Sequence, residues 1–126
     1  MATFNRQRVF NKAYRGLKAQ GFKRAVRVWT NTYTGEQEFS CQYRAEDGKK
    51  CAIGHCIPDS KYDRGFEGGS ATASGICKVM GYKYMSDDAR WATDLQRAHD
   101  EGLTPAEMQQ RLTEFANKHN LTVPKR

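Results

Sequence analysis

The chain has 126 residues, a mass of 14.4 kDa, a mean hydropathy of −0.85 and a formal net charge of +7. That length holds one domain, residues 1–126, and excludes a second sizeable core. No run approaches the roughly 18 apolar residues of a membrane span, and fourteen aromatic residues supply enough buriable surface to exclude wholesale disorder.

The charge is unevenly placed. Residues 1–35 contain Arg6, Arg8, Lys12, Arg15, Lys18, Lys23, Arg24 and Arg27 and no acid, whereas the remainder carries thirteen basic and fourteen acidic side chains. Concentrated positive potential attracts phosphates or an acidic protein face. These eight residues are therefore the candidate contact set for an anionic partner. The competing reading is a solvated helix face that keeps a small protein soluble. The segment Met1–Arg6 lacks the apolar stretch of an export signal, so the expectation is an intracellular protein with no membrane association.

In chain order, Asn5 to Gln20 predicts a helix: Val9, Phe10, Ala13, Tyr14 and Leu17 recur at three- and four-residue spacing, and Gly21 suits the position after its end. Ala25 to Thr30 alternates like a strand, with Val26 and Val28 on one face. Asn31–Gly35 reads as a turn, and Glu38–Arg44 as a second strand. Ala45-Glu46-Asp47-Gly48 is a hairpin signal, because glycine supplies the positive φ of a tight reversal. Lys49–Ile53 would return as a third strand.

Pro58 ends the sheet. Glycines at 65, 68, 69 and 75 predict a loop over Gly65–Gly75, with no P-loop or dinucleotide fingerprint in it. Ile76, Val79 and Met80 form a short buried segment. Ser86 caps a helix with Trp91, Leu95 and Ala98 on its apolar stripe, ended by Gly102. Thr104-Pro105-Ala106-Glu107 is a capping box opening a last helix, whose Met108, Leu112, Phe115 and Ala116 face inward. The expected fold is α+β: an N-terminal helix, a three-stranded antiparallel sheet packing one face against helices, and two C-terminal helices.

Chemistry, if present, rests on cysteine and histidine. Cys41 and Cys51 flank the Asp47-Gly48 turn, at registers that would bring their sulfurs close. With His55 and Cys56 they place four soft donors within sixteen residues, a candidate zinc set, although the short pair spacing of structural zinc sites is missing between Cys41 and Cys51. Small buried thiols are the simpler reading, and no cofactor is favoured over a structural zinc. A thiol nucleophile, Cys41 or Cys51, would need a base and an orienting group, for which His99 and Asp100 are the candidates. Adjacent helical residues project about a hundred degrees apart, so Asp100 is not expected to hold His99. Asp59, Asp63, Glu67 and Asp100 specify no metal site by their spacing.

The strings Cys41-Gln42-Tyr43-Arg44, Asp47-Gly48-Lys49-Lys50-Cys51-Ala52-Ile53-Gly54 and Ile57-Pro58-Asp59, with Tyr62, Glu67-Gly68, Leu95-Gln96 and His99-Asp100, resemble a set of small uncharacterised proteins of bacteriophages and prophages. The likeness spans roughly residues 38–101. It implies a phage origin and a place in the host bacterial cytoplasm, and similar strings carry non-ligating residues at the position of His55, which weighs against zinc. The expected function is that of a phage accessory protein binding a bacterial host protein, such as a defence-system component, through its basic surface. One alternative is a nucleic-acid or nucleotide binder using the same basic residues, with Tyr14 or Trp29 for stacking. The other is a small Cys/His-dependent enzyme.

Overall fold

The computed structural model describes residues 4–67 and 74–125. Helix α1 (Arg6–Ala19) begins at Asn5, whose side chain accepts the Arg8 N–H at 3.0 Å. It ends as its composition predicts. Gly21, at φ +74°, donates to the Lys18 carbonyl at 3.0 Å and Phe22 donates to that of Leu17 at 2.8 Å, the paired bonds of a Schellman cap.

Strands β1 (Val26–Thr30) and β2 (Gln37–Cys41) pair antiparallel, Val26 opposite Cys41 and Thr30 opposite Gln37. In the connecting turn the Asn31 side chain accepts the N–H groups of Tyr33 and Thr34 at 2.8 and 3.2 Å. The third antiparallel segment is reduced to one bridge, Arg44 to Lys50, closed by the predicted Asp47-Gly48 reversal with Gly48 at φ +90°. Beyond it the chain leaves the sheet at Ala52 and turns into a 3₁₀ segment, Gly54–Cys56.

Helix α2 (Ser74–Met80) forms where the sequence indicates only a short buried segment. Within the expected glycine loop, Arg64–Phe66 is a 3₁₀ turn, and residues 68–73 lie outside the described residues. Helix α3 (Asp87–Asp100) is capped by Ser86, and α4 (Pro105–Lys118) by Thr104, each hydroxyl accepting the N–H three residues on at 3.1 Å.

The architecture is the expected α+β. The core lies where α1, α3 and α4 meet: the Phe115 ring centroid stands 6.0 Å from that of Phe10 and 5.4 Å from that of Trp91. Burying a side chain of that size contributes about 2–3 kcal/mol. One packing expectation needs correction. The sheet does not lay a face on the helices along its length, for β1 is exposed from Arg27 onward, with Val28 at 56% and Trp29 at 39% exposure. The base of the hairpin, at Ala25 and Cys41, reaches α3, and β1 then runs on with its side chains exposed.

Candidate functional site

The eight N-terminal cations divide. Arg8, Lys12 and Arg15 follow at i, i+4 and i+7, opposite the buried Phe10, Ala13, Tyr14 and Leu17, so they form one stripe on the outer face of α1. Lys18 flanks that stripe, and all four are exposed. Lys23 is exposed just beyond the helix. The other three are directed elsewhere. Arg6 pairs with Asp88 at 2.8 Å and lies over the Trp91 ring. Arg24 donates to the Asp100 carbonyl at 3.3 Å. Arg27 lies over Trp29 in the hairpin. The contact set expected as one surface is therefore a four-residue helical stripe plus neighbours.

Beside the stripe runs a groove of about 290 Å³. Phe4, Val9, Val79 and Met80 supply its apolar lining, and Arg8 and Lys12 stand at the same groove.

Cys41, His99 and Asp100 come together, with ligating atoms within 4.8 Å of one another. Contrary to the helical-angle argument, Asp100 does hold His99: Nδ1 lies 2.8 Å from Asp100 Oδ1. Both residues sit in the last turn of α3, where the carboxylate can fold back onto the preceding ring. The same oxygen accepts Gln96 Nε2 at 2.9 Å, and Gln96 Oε1 accepts the Ile53 N–H at 3.0 Å. His99 Nε2 accepts the Ala25 N–H at 3.0 Å. An N–H donor there requires Nε2 to be unprotonated, so Nδ1 carries the proton and donates to Asp100.

This wiring makes His99 a strut. The Nε2 lone pair that would deprotonate a thiol is already engaged by the backbone. Cys41 lacks activation as well: burial foremost, then the neighbouring Asp100 charge and hydrogen bond, push its thiol up to about 12. The Arg24 guanidinium acts on Cys41 in the opposite sense, and its positive charge opposes a cation at the cluster.

The proposed zinc set Cys41, Cys51, His55 and Cys56 is dispersed. Cys51 donates its N–H to the Tyr43 carbonyl, so it stands across from Tyr43 and not from Cys41; its sulfur accepts the Gly54 N–H at 3.3 Å. Burial raises the Cys51 thiol, as it raises that of Cys56 to about 12. Cys56 donates toward the Val9 carbonyl at 3.4 Å. His55 donates from Nε2 to Gln20 Oε1 at 2.9 Å, and burial lowers its pKa to about 4. Four donors with four separate partners do not make a tetrahedron.

A second polar network was not anticipated. Glu67 grips the backbone after β2: Oε1 accepts the Tyr43 N–H at 2.8 Å and Oε2 accepts the Arg44 N–H at 3.1 Å and the Tyr62 hydroxyl. Arg44 Nη2 donates to the Ile57 carbonyl at 3.0 Å and to Asp59 Oδ1 at 2.7 Å, with its guanidinium 4.5 Å from the Tyr62 ring centroid. Half of the residues quoted for the resemblance fall into these two networks, which was the one signal for the second. Comparison with known proteins adds no relative: no family model matches the chain, and neither the curated proteins nor the solved structures contain a match.

Proposed function

We propose that this is a phage-type accessory protein that acts by binding, docking the outer face of α1 on an acidic face of a bacterial host protein in the host cytoplasm. The observation that carries this reading is the exposed stripe of Arg8, Lys12, Arg15 and Lys18 beside an apolar groove. A cationic edge next to an apolar floor complements an acidic protein surface with a hydrophobic anchor; a nucleic-acid backbone asks only for the charge. The occupied Nε2 of His99 and the raised thiols give the Cys/His enzyme alternative no support.

Arg8 strengthens the argument. It lies in the first turn of α1, which contains no acid, where the helix dipole disfavours a cation. An acidic partner face would offset that cost.

A second reading draws on the hairpin, where Trp29 and Tyr33 are exposed beside Arg27, a combination suited to stacking on bases. Affinity capture from a bacterial lysate separates the two. Wild type and the pair Arg8→Glu, Lys12→Glu are compared, with nuclease in one arm, followed by titration of the purified captured protein. The expected result is an acidic protein retained after nuclease, its affinity reduced at least about tenfold by the pair and falling with salt. Capture that vanishes with nuclease, or binding indifferent to the pair, overturns the docking reading.

A further inference from the structure

The geometry points to a small-molecule anion site in the cavity beneath the hairpin, one that takes a phosphate monoester between Arg27, Arg44 and Arg64. This site is distinct from the outer face of α1 and does not rest on the docking reading. Its volume is about 340 Å³, at the lower end of ligand pockets, so it suits one phosphate on a compact organic body.

Three guanidinium groups reach this cavity from three separate segments: β1, the chain after β2, and the 3₁₀ turn Arg64–Phe66. They differ in commitment. Arg44 is fixed by the Ile57 carbonyl, by Asp59 and by the Tyr62 ring. Its Nε is nevertheless buried with no hydrogen-bond partner among the described residues. A buried guanidinium N–H without an acceptor is the group most in need of one. Arg27 and Arg64 are exposed and make no ion pair among the described residues. Two cations without a carboxylate partner, Arg27 with its guanidinium over the Trp29 ring, match a dianion, and the planar fork of arginine fits phosphate oxygens in pairs.

The two carboxylates on the lining are unequal. Glu67 spends both oxygens on the Tyr43 and Arg44 N–H groups and on the Tyr62 hydroxyl, so its lone pairs are engaged while its negative charge remains. Glu46 is exposed and makes no hydrogen bond or ion pair among the described residues. Both lining carboxylates oppose an anion, and Glu46 is the one whose neutralisation breaks no hydrogen bond among the described residues, so its removal should tighten binding.

Calorimetric titration of the full chain at low salt tests the site, with inorganic phosphate, a nucleoside monophosphate, the matching nucleoside and acetate as probes. The expected result is saturable one-site binding of both phosphates and none of the nucleoside. Affinity falls about tenfold in Arg64→Gln and further with Arg27→Gln added, rises several-fold in Glu46→Gln, and does not change in Lys12→Glu. The Arg44 Nε–H resonance shifts as the site fills. Arg64 lies on an exposed turn, so its single variant keeps the test valid if Arg27→Gln disturbs the hairpin. Absence of saturable phosphate heat, equal binding of acetate, an unmoved Arg44 resonance, or a loss shared by Lys12→Glu overturns the assignment.

Discussion

Gly16 has no side chain because the His55 imidazole occupies the space a Cβ would take. Gly16→Ala should destabilise the fold by about 1–3 kcal/mol through overpacking, and His55→Ala in the same chain should recover part of that loss. Urea denaturation of the two singles and the double reads the coupling. His55 also titrates. Burial lowers its pKa from 6.5 to about 4 in the fold, so the unfolded chain takes up the proton first. Its contribution to stability is complete above pH 6.5, declines as pH falls through about 4, and is flat below. The difference in melting temperature between wild type and His55→Asn should follow that course; a difference independent of pH would contradict it. None of this was readable in the sequence. His55 attracted notice as a zinc ligand, and Gly16 sat unremarked inside a helical repeat, because the distance between them is set by how the 3₁₀ turn packs on α1.

At the level of elements, local chemistry was legible. Gly21, Ser86 and Thr104 each make the cap their positions announce, since a cap involves only neighbours within four residues; Asn5, read only as the first residue of the helical span, caps it. The hairpin turns at Asn31–Gly35 and Asp47-Gly48 were readable for the same reason. What alternation could not reveal is that β1 extends past its neighbours: Val26 and Val28 share a face by period, yet Val28 is open to solvent. The α1 stripe was visible as composition but its separation from Arg6 and Arg24 was not, because Asp88 and Asp100 arrive from far along the chain. Arg8→Glu should stabilise the isolated protein by about 0.3–1 kcal/mol through the helix dipole while weakening partner binding. Thermal melts paired with binding titrations check both signs, and a destabilised variant would show that Arg8 serves the fold.

For the molecule as a whole, two polar networks tie segments that lie far apart in the chain. Gln96, His99 and Asp100 join α3 to Ala25 and Ile53, and Glu67 with Arg44 joins the chain after β2 to Ile57 and Asp59. His99→Ala removes the acceptor of the buried Ala25 N–H and leaves a void, and should cost about 2–4 kcal/mol. Cys41→Ser should cost less than about 1 kcal/mol, since the hydroxyl can also donate to Asp100. Chemical denaturation ranks them, and the reverse order would contradict the strut. The two tryptophans extend this to optics: Trp91 is 2% exposed and Trp29 is 39% exposed. Iodide should quench the red-shifted emission of the hairpin indole and spare the blue emission of the interior one. One spectrum therefore carries two independent gauges, the first sensing whatever settles on the hairpin and the second sensing global melting.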